Sequence, residues 1–104
     1  MRRESQAIRD AARGQECTVR LPGVCNFDPE TTVLAHIPAQ AGISGVGIKP
    51  VDLSGAFMCS ACHDVIDGRG QSVLPRATIL ECCLAGVVRT HQILVRDQIV
   101  ELPK

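Results

Sequence analysis

Nine residues, CSACHDVID from Cys59 to Asp67, set a pair of soft metal ligands directly before an imidazole and a carboxylate. Thiolates at the two ends of a C-x-x-C turn reach one soft cation, and the chain after such a turn can start a helix. On that helix His63 and Asp67, at i and i+4, project from one side about one turn apart. The cysteines read as a fastener. The imidazole and carboxylate read as a possible place for chemistry.

A second cysteine pair stands upstream in CTVRLPGVC, Cys17 to Cys25. Val19 and Leu21 alternate with polar residues as in a strand, and Pro22-Gly23 signals a tight turn, so a hairpin returning Cys25 to Cys17 is expected. The gap is wider than in the usual zinc knuckle, and alone the pair says little. Joined to Cys59 and Cys62 it makes a tetrahedral four-sulfur set for a structural Zn2+. Disulfides are the rival use of cysteine. The N-terminal MRRESQAIRDAARGQE has no apolar run and no small-residue cleavage site of a signal peptide, and no apolar run approaches the length of a bilayer. A cytoplasmic chain with no membrane partner is expected, where thiols stay reduced and metal is favoured over disulfides.

The elements that must position these residues fit one domain of 104 residues. Phe27 and Phe57 are its only aromatics, so the core must come from Val, Leu, Ile, Ala and Cys, and so small a core gains from a metal staple. Residues 2–13 read as a short amphipathic helix with Ala7, Ile8, Ala11 and Ala12 inward and Arg2, Arg9 and Arg13 outward, ended by Gly14. Asn26 to Pro29 is a turn. TTVLAHI, Thr31 to Ile37, is the clearest strand and carries His36 near its end, before Pro38. An imidazole in an apolar strand is ordinarily a satisfied core residue, and that reading stands beside any catalytic one.

Ala41 to Ala56 is glycine-rich without a helix or strand period; it is either a plain connector or a loop whose N–H groups and Lys49 meet phosphate. Gly68-Arg69-Gly70 ends the helix after Cys62. A longer helix starts at Pro75, with Leu80, Cys83, Leu84, Val87, Val88, His91 and Leu94 as its inner stripe. Cys82 and Cys83 cannot both face one ion from that helix, and Cys83 and His91 read as core residues. The end, from Ile93 on, is expected to fray or to turn at Arg96-Asp97-Gln98.

Formal net charge is zero, yet it is unevenly spread. Residues 1–20 carry +2 and residues 69–96 carry +3, while residues 21–68 carry −4. Acids around the Cys/His segment with arginines on both flanks suit a divalent cation beside a phosphate backbone, although ordinary solvated helix surfaces give the same counts. So few aromatics argue against base stacking on single strands as the main binding mode.

Two cysteines, a strand ending in His, a loop, then C-x-x-C-H opening a helix: in CTVRLPGVC, PETTVLAHI, GIKPVDL and CSACHDVID the chain resembles HNH-type endonucleases of the treble-clef, ββα-metal class. Among these it is most similar to small prophage-encoded nucleases of the YbcO type. The resemblance implies an α+β fold in three parts: an N-terminal helix or arm (1–14), a zinc-held ββα core (15–70), and a C-terminal helix and tail (71–104). It implies structural zinc on Cys17, Cys25, Cys59 and Cys62, His36 as general base, and a catalytic divalent ion (Mg2+, Mn2+ or Zn2+) on His63 and Asp67. DNA is the implied substrate in a bacterial host cell, with Lys49 and Arg69 as phosphate contacts. The family often has Asp or His directly before the general base, where this chain has Ala35; Asp64 or Asp52 could supply that ligand. A non-catalytic zinc module that binds DNA or a protein is the alternative, and Ala35 is its best support.

Overall fold

The computed structural model describes residues 2–37 and 52–100. Along the chain run α1 (Arg2–Ala12), β1 (Val33–Ala35), β2 (Ala56–Met58), α2 (Ser60–Ile66) and α3 (Arg76–Arg96), with 3-10 turns at Pro29–Thr31 and Asp52–Ser54. Together they make a small α+β fold. β1 and β2 pair antiparallel in the register Val33↔Met58, Leu34↔Phe57, Ala35↔Ala56.

β2 is buried on both faces and divides the core. Alternation along a strand sends Phe57 one way, to Ile8, Ala12 and Leu94, and sends Ala56 and Met58 the other, to Val19, Leu21 and the cysteines. Each large side chain buried this completely contributes about 1.5–3 kcal/mol. The strand was not legible as such, because three residues are too few to display a period. Gly55 leads into it, and a Cβ there would stand 2.6 Å from the Ala35 carbonyl oxygen, so the close approach to β1 requires glycine.

The segment Cys17–Cys25 departs from the expected hairpin. Its tight turn forms, with the N–H groups of Val24 and Cys25 both donating to Leu21 O, but the arms build no ladder. Thr18 ties it to β2, its N–H and its hydroxyl both donating to Phe57 O, at 2.8 and 3.0 Å. Arg20 then adopts a left-handed backbone (φ 53) that turns its N–H onto the Cys17 sulfur. Sulfur acceptors have taken the donors a second strand would have used.

The clearest strand is also shorter than Thr31 to Ile37. The Asp28 side chain caps the 3-10 turn at Pro29–Thr31 and holds Thr31 out of the strand, and His36 follows β1 directly. Residues 38–51 lie outside the described residues, and with them most of the loop Ala41–Ala56, Lys49 included.

α3 buries Cys83, Gly86, Thr90 and Leu94, which corrects the expected stripe: Leu80, Leu84 and Val88 face solvent. Small and polar residues make the contact. A Cβ on Gly86 would lie 2.6 Å from Val19 Cγ2 and 3.1 Å from Val19 Cα. The Thr90 hydroxyl accepts from Phe57 N–H at 3.1 Å and shares a 3.0 Å bond with the Thr18 hydroxyl. His91 is half-buried, not in the core, with Nε2 2.6 Å from the Leu53 carbonyl. Past Arg96 the chain turns at Gln98 (φ 60), and the N–H groups of Ile99 and Val100 both donate to Leu94 O. By length and composition α3 is long and apolar enough to cross a membrane, which corrects the expectation that no apolar stretch approaches that length; Glu81 and Arg89 interrupt it without lowering its mean hydropathy enough to exclude it. Its buried line lies on β2 and the Cys17–Cys25 segment.

Candidate metal centre and catalytic side chains

The sulfurs of Cys17, Cys25, Cys59 and Cys62 all lie within 4.8 Å of one another. Among the described residues they are the one group of three or more Cys, His, Asp or Glu placed to share an ion. At zinc–sulfur bonds of about 2.3 Å, the edge of a sulfur tetrahedron is about 3.8 Å; the Cys25–Cys59 separation is 3.8 Å. Backbone N–H groups of Arg20, Leu21 and Cys62 stand 3.4 Å from the sulfurs of Cys17, Cys62 and Cys59 in turn, which favours thiolates. A hydrogen bond shared with Cys62 pulls the Cys17 thiol down, and the same bond pushes Cys62 up. Burial pushes Cys25 up to about 11. A soft divalent cation suits this donor set. All six cysteines are free of disulfides, and Cys82 and Cys83 stand outside the cluster.

The same centre starts α2. Cys59 is the N-cap, its sulfur accepting from Cys62 N–H, so the phase of the helix is set by the ligand turn. His63 and Asp67 fall on one side as their spacing requires, with His63 Nε2 3.1 Å from Asp67 Oδ2. Asp67 ends the helix as C-cap, followed by Gly68 at φ 83. Arg69 reaches back to Asp67 Oδ2 at 3.0 Å and to Asp64 Oδ1 at 3.5 Å. Its charge therefore answers the carboxylates before it can answer a phosphate.

His36 belongs to another set. Its Nε2 lies 2.7 Å from Oδ1 of Asp52, and Arg9 Nε lies 2.9 Å from Oδ2 of the same carboxylate. The His36 side chain is 40% exposed while that of Asp52 is 5% exposed, so a buried acid holds an imidazole that water can reach. No hydrogen bond or ion pair among the described residues links His36 to His63 or Asp67. The contact joins the end of β1, the 3-10 turn at Asp52–Ser54 and α1, sixteen positions apart at its core. By sequence, Asp52 reads only as a substitute metal ligand and Arg9 as an outward charge. Nothing in their local pattern signals the triad, because all three come from different elements. Asn26, the only Asn in the chain, ties the Cys25 segment to α2 through Ser60 Oγ at 3.1 Å.

The family described as "Putative nuclease YbcO" matches residues 6–98. The chain belongs to the YbcO family. Members similar to it are a "Putative nuclease YbcO" of Escherichia coli (strain K12) and a "Putative nuclease ybcO" of Enterobacteria phage 82. Each is 49% identical over 94 residues, covering 90% of this chain and 96% of that protein. A solved structure described as "a putative bacteriophage protein from Escherichia coli str. K-12 substr. MG1655" superposes with a TM-score of 0.73 at 46% identity, over 88% of this chain and all of that one. The two relatives, one from a bacterium and one from a phage, share the description "Putative nuclease".

Proposed function

We propose that the chain is a metal-dependent endonuclease of the HNH type, hydrolysing DNA phosphodiester bonds from a zinc-stapled treble-clef, ββα-metal core in a bacterial host's cytoplasm. The observation that carries this reading is the solvent-reachable His36 imidazole fixed at Nε2 by a buried carboxylate. With Nε2–H donating to Asp52, the lone pair of Nδ1 is free to take the proton of an attacking water, and Asp52 steadies the imidazolium that results. Arg9 holds the far oxygen of Asp52 and so fixes the ring's orientation. His63 and Asp67 would hold the catalytic cation: ligand atoms about 2.1 Å from one ion and at right angles stand about 3.0 Å apart, close to the 3.1 Å between them. A divalent cation at such an open site supplies charge stabilisation for the phosphoryl and leaving oxygens. Mg2+, Mn2+ and Zn2+ all suit one nitrogen and one oxygen donor. The four cysteines take no part beyond placing α2.

The rival, a zinc module that binds DNA or protein without cutting, is favoured by Ala35 in place of a ligand and by Arg69 on Asp67. Nicking of supercoiled plasmid by zinc-loaded protein, with and without added Mg2+ or Mn2+, separates the two. Cleavage that needs the added ion and disappears in His63→Ala, with zinc content unchanged, is the expected result. Zinc-loaded protein that never cuts leaves the module reading in its place.

A further inference from the structure

The two basic flanks of the sequence meet in space. A groove of about 430 Å³ runs between the Cys17 segment and the C-terminal half of α3, and its charged lining is Arg20, Arg89 and Arg96 against Glu16 alone. Arg20 comes from the N-terminal twenty residues, and Arg89 and Arg96 from the last helix. None of the groove's lining residues belongs to the His36 or His63 sets.

Two of the guanidinium groups are held by consecutive carbonyls of the cysteine segment: Arg20 Nε donates to Cys17 O at 2.9 Å, and Arg89 Nη1 to Thr18 O at 2.7 Å. Each contact uses one N–H of the five on a guanidinium and leaves the rest of the fork for another acceptor. Arg96 carries Asp97 on its guanidinium, but that pair lies on the exposed surface, and a phosphate can take Asp97's place at little cost. Arg20 also has a left-handed backbone, where glycine would serve the turn with less strain. The same holds for Phe27 (φ 55), an exposed aromatic that lines an adjoining hollow with Glu16, Cys17 and Arg20. The Arg20 backbone is accounted for by its N–H on the Cys17 sulfur, while the rest of its guanidinium and the exposed Phe27 ring stand beside the cysteine cluster where a ligand can reach them.

The geometry points to this groove as a binding surface for the DNA phosphate backbone, with Arg20, Arg89 and Arg96 as its phosphate contacts. It deepens the nuclease reading and rests on it. The surface fixes where the duplex lies, and the hydrolytic side chains act on the strand it presents. Guanidinium forks that meet phosphate release counterions, so each contact shows as a salt dependence.

The test is fluorescence anisotropy of a labelled duplex titrated with full-length, zinc-loaded protein over a series of salt concentrations. It is done in the His36→Ala background so that nothing is cut. Arg20→Gln and Arg96→Gln, singly and together, are compared with Arg76→Gln, an exposed arginine at the other end of α3. Removing a phosphate contact lowers the slope of log affinity against log salt by about one unit and weakens binding by about fivefold at moderate salt. Zinc content and melting temperature report folding, and Arg96→Gln serves even if Arg20→Gln loosens the cysteine segment. Arg76→Gln is expected to bind as the parent does. Slopes and affinities of Arg96→Gln and the double variant equal to the parent's overturn the groove while leaving the nuclease reading in place. A parent that binds no duplex at low salt overturns both.

Discussion

Cys62 and His63 are neighbours in the chain, yet they are held by different means. The Cys62 sulfur lies in the core with the Leu21 N–H on it, one of three backbone donors aimed at the cluster. His63 keeps part of its ring in solvent, and its partner Asp67 divides one carboxylate oxygen between His63 and Arg69. The first arrangement is over-determined, since sequence spacing, helix capping and backbone donors all fix the same four sulfurs. The second is set by helix phase alone and can be redistributed by an incoming cation or phosphate. A domain with so little large apolar volume puts its rigidity in the four-cysteine cluster and leaves the His63–Asp67 pair adjustable.

The sharpest way to break that contrast is at the staple. Structural zinc in small domains supplies about 10 kcal/mol or more of apparent folding energy, so Cys59→Ser or chelation is expected to unfold the core. Loss of β2 packing in circular dichroism and a collapse of thermal stability would show it, and reduced, folded protein without zinc would contradict it. A smaller effect is expected at Gly86, where α3 meets the Cys17 segment. Gly86→Ala should gain up to about 1 kcal/mol of helix propensity yet lose about 1–3 kcal/mol to overpacking, because Val19 backbone atoms lie 3.1–3.2 Å from the new Cβ. Its melting temperature should fall by several degrees with zinc still at one per chain; an unchanged or higher value would mean that the segment is softer than the staple implies. The smallest effect is expected at the adjustable site. Arg69→Gln removes an exposed competitor worth about 0–1 kcal/mol and should tighten divalent-ion binding up to about fivefold without DNA, measured by calorimetry on zinc-loaded protein. Weaker binding in that variant would mean that Arg69 positions Asp67 rather than competing for it.

What was legible in the sequence follows the same division. C-x-x-C is a local geometric device, so Cys59, Cys62 and the helix after them could be read directly, and with it the i, i+4 placement of His63 and Asp67. The upstream pair was legible as part of the four-sulfur cluster but not as backbone: alternation of Val19 and Leu21 suggests a hairpin, whereas N–H···S bonding coils the segment around its sulfurs. α3 was legible as a helix, with Cys83 and Leu94 inward as expected, but its face was legible only in part, because Gly86 and Thr90 share the contact and hydrophobic patterning passes over both. The His36–Asp52–Arg9 contact was not legible at all. It depends on α1 and a 3-10 turn meeting at the end of β1, and no spacing within any one element encodes that.

The central claim is that the staple holds the fold while a separate imidazole does the chemistry. Zinc content and plasmid nicking, measured on the same preparations of the parent and His36→Ala with Mg2+ or Mn2+ added, test it most directly. The account predicts one zinc per chain and the same melting temperature in both, with nicking reduced about 10²- to 10⁴-fold in the variant. A variant that nicks as fast as the parent, or one that loses its zinc and fold together with its activity, would contradict it.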